Sequence, residues 1–198
     1  MSWIVLIDNS GSMGSHALNP NSLAIDVKNA IDIMLEEINN ISEEREILSY
    51  IRIITFNDLV SYAVGNRNHG EYITEAINTW RNFELIPYGG TNIASAIHEA
   101  VESIRTDRRE YLGSSSWLSP VLMLITDGMV NLADRVGNSL NDLKNIRKCQ
   151  TIRASIGLRH KYSIELDPFA SRGNIEHIDG RTDSDKPFSF FVESCDDL

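Results

Sequence analysis

Short apolar runs alternate with amphipathic stretches along most of this chain. Ile4-Val5-Leu6-Ile7 and Val121-Leu122-Met123-Leu124-Ile125 are continuous apolar runs, each ending in a polar residue and an aspartate or in an aspartate directly. Runs without alternation read as strands buried on both faces, which is the habit of parallel sheets. Ser49–Phe56 gives another strand, with Ile51, Ile53 and Ile54 apolar. Leu59–Val64 follows after only Asn57-Asp58, an interval too short for a parallel crossover, so it is predicted to return antiparallel at an edge. Thr151–Leu158 and Asn174–Ile178 are the remaining predicted strands.

Helical spacing fills the intervals. Leu23–Ile38 is predicted as a helix with Ile25, Ala30, Ile33, Met34 and Ile38 as its apolar stripe. Tyr72–Trp80 is a second helix. Asn92–Arg105 is a third, on Ala94, Ile97, Ala100, Val101 and Ile104. Leu140–Lys148 is a further helix, and Ile164–Ala170 and Phe188–Glu193 are short ones. Strands alternating with helices predict an α/β fold. The expected architecture is a three-layer, doubly wound, Rossmann-like arrangement around a mainly parallel six-stranded sheet. Its expected strand order is 3-2-1-4-5-6, with strand 3 antiparallel.

The chain of 198 residues is 42% hydrophobic, enough for one domain spanning residues 1–198 with a sizeable core. Eighteen basic against 28 acidic residues leave a formal charge of −10, which argues against nonspecific nucleic-acid binding. No apolar run approaches the roughly 18 residues that a membrane span needs. The first strand begins near Trp3 and leaves no room for a signal peptide. Cys149 and Cys195 are too few and too far apart for a disulfide framework or a zinc spacing. These features together predict a cytoplasmic protein.

The chemistry gathers at predicted strand ends. Asp8 closes the first strand, and Ser10 and Ser12 follow at alternate positions. Thr126-Asp127-Gly128 repeats the pattern after the second apolar run, and Gly89-Gly90-Thr91 opens the third helix. In doubly wound sheets such loops converge at the carboxyl ends of the strands, where strand order reverses. Oxygen donors of this kind suit Mg²⁺, Mn²⁺ or Ca²⁺, and no thiolate or imidazole in the motif favours zinc. Each motif taken alone has a blander reading. Asp8 with the serines can be a capped turn, Thr91 a helix cap, and Asp127-Gly128 a tight turn. His98 reads as a packed or surface residue and His16 as loop filler, while Phe188, Phe190 and Phe191 read as core.

Asp-x-Ser-x-Ser, a distant Thr after Gly-Gly, and Thr-Asp-Gly, in that order, resemble the von Willebrand factor type A domain. That resemblance implies a metal-ion-dependent adhesion site formed by Asp8, Ser10, Ser12, Thr91 and Asp127. The implied ion is a divalent cation, Mg²⁺ foremost. The implied partner is a protein that supplies an Asp or Glu side chain to the metal, by displacing one of the waters that Mg²⁺ ordinarily retains. Within the family, the Trp117 to Gly128 run resembles bacterial TerY-type proteins. That implies a tellurite-resistance or stress-response setting, with a protein kinase or phosphatase as associated partner.

Two enzyme-like readings compete with a noncatalytic module. A metal-assisted phosphoester hydrolase would use Asp8, Ser10 or Ser12 as nucleophile, but no His, Lys or second carboxylate stands within the motif as a base. A nucleotide-binding protein would cradle phosphate at Gly89-Gly90-Thr91, yet neither phosphate-loop pattern is present and no lysine lies near Thr91. The expectation is therefore a protein that is not an enzyme.

Overall fold

The computed structural model describes residues 1–14, 22–110, 120–127, 137–144, 152–158, 169, 175–176, 182–183 and 189–192. The first strand, β1 (Ser2–Asp8), lies at the centre of a mostly parallel sheet. It pairs in parallel with β2 (Tyr50–Phe56) on one side and with β5 (Val121–Thr126) on the other. β3 (Val60–Val64) returns antiparallel along β2, and the two-residue β4 (Glu71–Tyr72) pairs with the start of β2. β6 (Ile152–Leu158) continues the sheet beyond β5, and β9 (Ser189–Val192) pairs in parallel with β6. The path reads β3-β2-β1-β5-β6-β9.

The helices are α1 (Ser22–Glu44), α2 (Ile73–Asn82), α3 (Ile93–Glu110) and α4 (Gly137–Lys144). Side chains alternate between the two faces of a strand, so β1 feeds two cores. Ile4 and Leu6 pack with Ile54, Phe56, Ile97, Val101 and Ile104 on the α3–α4 side. Val5 and Ile7 pack with Ile53, Val27, Ile31, Leu35 and Trp80 on the α1–α2 side. A strand that must be apolar on both faces is why Ile4–Ile7 shows no alternation.

Three expectations are corrected. The buried stripe of α1 is Leu23, Ala24, Val27, Ile31, Leu35 and Ile38, whereas Ile25 and Ile33 are 54% and 66% exposed. Both sets have helical spacing, and periodicity alone did not say which faced the sheet. The expected terminal helix at Phe188–Glu193 is the strand β9 instead. A run this short cannot be assigned by period, and its aromatic and β-branched residues favour a strand. The expected last strand, Asn174–Ile178, appears only as β7 (Ile175–Glu176), which pairs with β8 (Thr182–Asp183) in a separate two-stranded sheet. The expected helix at Ile164–Ala170 falls outside the described residues except for Phe169, which is buried.

Polar links brace the layers. The Lys28 ammonium on α1 donates to the carbonyls of Trp80 and Phe83, each at 2.7 Å, and lies 4.7 Å from the Trp80 ring centre. It thus bonds carbonyls at the carboxyl end of α2, sharing that of Trp80 with the Phe83 N–H, and fixes how the chain leaves that helix. At the opposite end of the sheet, Arg52 of β2 and Asp107 of α3 form a buried pair at 2.5 Å. Ser2 Oγ donates to the same carboxylate at 3.0 Å, and Arg52 Nε donates to the Asn66 carbonyl at 2.9 Å.

Candidate metal centre

Asp8 is the last residue of β1 and is fully buried. One of its carboxylate oxygens accepts the Ser10 backbone N–H at 2.8 Å, and the other accepts the Thr126 hydroxyl at 2.6 Å. Thr126 ends the neighbouring β5, so this bond ties two strand ends together. Burial pushes the Asp8 carboxyl above the usual carboxylate range, partly offset by the Thr126 and Ser10 hydrogen bonds. The nearby Asp127 charge pushes it the same way as burial.

Past Asp8 the chain turns into one 3-10 turn, Gly11–Gly14, with Met13 buried beneath it. That turn sets the two serine hydroxyls side by side, with Ser10 Oγ 2.9 Å from Ser12 Oγ. Ser12 Oγ in turn donates to Asp127 Oδ1 at 2.8 Å. Four of the five residues anticipated as ligands are therefore joined in one hydrogen-bonded chain at the β1 and β5 ends, Asp8 entering it through the Ser10 backbone N–H.

Thr91 arrives on a third loop. The Gly11 N–H donates to the Gly89 carbonyl at 3.0 Å, and the Tyr88 N–H donates to the Asn9 carbonyl at 3.0 Å. These bonds hold the Gly89-Gly90-Thr91 loop against the β1 end. Thr91 is half-buried, and among the described residues its hydroxyl makes no hydrogen bond. It does not cap α3. That role falls to Asn92, whose Oδ1 accepts the Ser95 N–H at 3.2 Å. The Thr91 hydroxyl is thus left uncommitted, and no hydrogen bond joins it to the other four.

Sequence reasoning read Asn57-Asp58 only as a turn, yet both build the site. The Asn57 carbonyl accepts the Asn92 N–H at 2.8 Å, and Asp58 Oδ2 accepts the Gly90 N–H at 3.0 Å. Gly89 has φ +73°, and a Cβ there would lie 2.4 Å from Asp58 Oδ2. A Cβ on Gly90 would lie 2.6 Å from the other Asp58 oxygen. The two glycines are required because a carboxylate occupies the space a side chain would need. Nothing in the local pattern at Asn57-Asp58 distinguishes this use from an ordinary turn. The role of Thr126 was equally hidden, although a hydroxyl one residue before Asp127 was visible.

The donor set fits a hard divalent cation. It consists of carboxylate and hydroxyl oxygens, and among the described residues no group of three His, Cys, Asp or Glu side chains gathers to make a nitrogen or sulfur site. A fully buried carboxylate beside a second one is costly unless opposite charge compensates it. Asn9 Oδ1 is also buried without a hydrogen-bond partner beside this cluster. A cation held by Ser10, Ser12, Thr91 and Asp127, with Asp8 behind the serines, would satisfy that demand.

Comparison with known proteins agrees on family and fold. The family model described as von Willebrand factor type A domain matches residues 3–129. No curated protein matches the chain. Among solved structures, a von Willebrand factor type A protein from Catenulispora acidiphila aligns at TM-score 0.65 and 12% identity, over 98% of this chain and 39% of its own. Proximal thread matrix protein 1 from the mussel byssus, solved with a zinc-occupied MIDAS motif, aligns at TM-score 0.63 and 18% identity. That alignment covers 100% of this chain and 42% of the mussel protein, so the chain spans about two fifths of the structures it resembles.

Proposed function

Because the chain belongs to the von Willebrand factor type A domain family, we propose that it is a noncatalytic module that binds a partner protein through a divalent cation. Asp8, Ser10, Ser12, Thr91 and Asp127 hold the ion in this reading. The observation that carries it is the continuous oxygen chain Ser10–Ser12–Asp127, backed by a buried Asp8 whose own oxygens are spent on Ser10 and Thr126. The mussel protein, solved with zinc in its MIDAS motif, supports a divalent cation in this reading. Mg²⁺ is the ion assigned here, because the donors are hard oxygens.

The residues divide the work. Asp8 holds the Ser10 N–H and draws the β5 end in through Thr126, so the hydroxyls are oriented before any ion arrives. Ser10 and Ser12 contribute neutral oxygens, so with Asp8 behind them and only Asp127 against the ion, the ion keeps net positive character. Asp127 contributes charge beside Ser12, whose hydroxyl it accepts at 2.8 Å. When bound, the ion supplies an open position that accepts a carboxylate from outside. The partner is a protein offering Asp or Glu there, and an associated protein kinase or phosphatase fits the TerY-like reading of the Trp117 to Gly128 run. That reading places the protein in the cytoplasm, in a tellurite-resistance or stress-response system.

Titration calorimetry with Mg²⁺ and Mn²⁺ tests the metal. Asp8→Ala is expected to abolish measurable binding, and equal affinity of the variant and the parent chain would overturn the assignment. Capture of partners with and without chelator tests recognition. Release by EDTA is expected, and a partner held equally well after chelation would show that the ion is not the recognition element.

A further inference from the structure

At the pole of the sheet opposite the metal loops, the carboxyl end of α1, the α1–β2 connection and the β4–α2 junction enclose a groove of about 450 Å³. Tyr50 starts β2 and Phe56 ends it, so the groove lies about 20 Å from the metal centre at strand rise. Its wall is apolar where Ile47, Leu48, Tyr72 and Ile73 line it. Two of these stay in water: Leu48 is 65% exposed and Tyr72 46% exposed. The Tyr72 ring is held against Tyr50 at 4.7 Å, with their hydroxyls 3.2 Å apart, so its position is fixed.

Three carboxylates stand around that wall: Glu43 and Glu46 from the end of α1 and its cap, and Glu75 from the first turn of α2. Among the described residues none of the three forms an ion pair. Arg45 stands in the same turn, and the Met1 amino group donates to the Leu48 carbonyl, but neither bridges to these glutamates. Glu46 is also the one described non-glycine residue with positive φ, at 54°, held there by the Ile47 N–H bond to the Ser42 carbonyl at 2.9 Å. This backbone conformation turns the chain sharply out of α1 and puts Glu46 and Leu48 on the same groove.

We propose that this groove is a second binding site, independent of the metal, for a peptide segment of a partner protein that carries a Lys or Arg beside a bulky apolar residue. Charge complementarity selects the basic residue, since glutamates with no cationic partner among the described residues, Glu43 holding only the Asn39 amide at 2.9 Å, flank an exposed aromatic face that also attracts cations. Leu48 and Tyr72 select the apolar neighbour, because their exposed surface is removed from water only when something covers it. The site lies on the far side of the molecule from the metal loops, so one chain can hold two segments at once.

The test is selection of a random peptide library on the chain in EDTA, which silences the metal centre. Enriched peptides are expected to pair Lys or Arg with Leu, Ile, Phe or Trp. Glu43→Gln with Glu75→Gln, and separately Leu48→Ser, should each weaken a selected peptide about tenfold with the circular dichroism unchanged. The control is Glu37→Gln with Glu84→Gln, which removes the same charge elsewhere and should leave affinity unchanged. Loss in the control equal to that in the groove variant would mean general attraction to an acidic protein, and would overturn the site. Enrichment of acidic or uncharged peptides, indifference to Leu48→Ser, or self-association of the chain abolished by Leu48→Ser would overturn it as well. None of these outcomes depends on whether the metal centre binds a partner.

Discussion

Asp58 and Gly89 show how single residues set the geometry of the metal loops. The Asp58 carboxylate holds the Gly90 N–H, and it fills the space where a Gly89 side chain would sit. Gly89→Ala therefore meets two obstacles, a positive φ and a contact of 2.4 Å with an oxygen. The φ alone costs about 1 kcal/mol, and the contact adds to it. The loop carrying Thr91 is expected to shift, lowering Mn²⁺ affinity as well as stability by roughly 1–2 kcal/mol. Asp58→Ala in the same chain removes the contact and leaves only the backbone term. The double variant should thus be more stable than the two single losses summed. Additive losses in a denaturant-unfolding cycle would show that Asp58 and Gly89 do not interact.

At the scale of elements, the strands were legible in sequence wherever burial on both faces forced a continuous apolar run. Ile4–Ile7 and Val121–Ile125 are such runs, and the loops after them brought Asp8 and Asp127 together through Thr126 and Ser12. What stayed hidden depended on partners distant in the chain. The buried stripe of α1 could not be separated from the one through Ile25 and Ile33 by spacing. Nor did the run at Ser189–Val192 reveal that β6 would accept it as a strand. The Arg52–Asp107 pair was equally invisible, since it joins β2 to α3 across the bottom of the sheet. Its removal has a clear expected cost. Asp107→Ala leaves the Arg52 guanidinium buried with only the Asn66 and Asn68 carbonyls and Ser2 for company. The loss should be about 3–5 kcal/mol by denaturant unfolding. Replacing both partners with apolar residues of similar volume should restore much of it, and a loss below about 1 kcal/mol for the single variant would show that water reaches the guanidinium.

At the scale of the whole molecule, a polar cluster fastens the antiparallel edge to the helical layer, and that cluster gives stability a defined pH window. The Tyr62 hydroxyl on β3 donates to Glu99 Oε1 at 2.8 Å and lies 3.0 Å from the Ser103 hydroxyl, both on α3. Arg67, in the loop after β3, donates from its Nε to the same carboxylate at 2.6 Å. The Arg67 hydrogen bond holds the Glu99 carboxyl below the usual carboxylate range, although burial opposes it. A carboxylate whose folded pKa is depressed contributes stability above its unfolded value, and that contribution is lost as pH falls through the folded value. Burial pushes the Tyr62 phenol the other way, up to about 12. Its contribution is complete below the ordinary tyrosine value near 10 and disappears as pH rises toward 12. Stability measured by urea unfolding should therefore be flat across neutral pH and fall at both ends. Glu99→Gln should flatten the acid limb, because the group that must be protonated there is gone, and leave the alkaline limb in place. Tyr62→Phe should do the reverse. Arg67 is 56% exposed, so the neutral-pH cost of Glu99→Gln should stay near 1 kcal/mol. If Glu99→Gln leaves the acid limb as steep as in the parent chain, the carboxylates that govern acid unfolding lie elsewhere in the molecule.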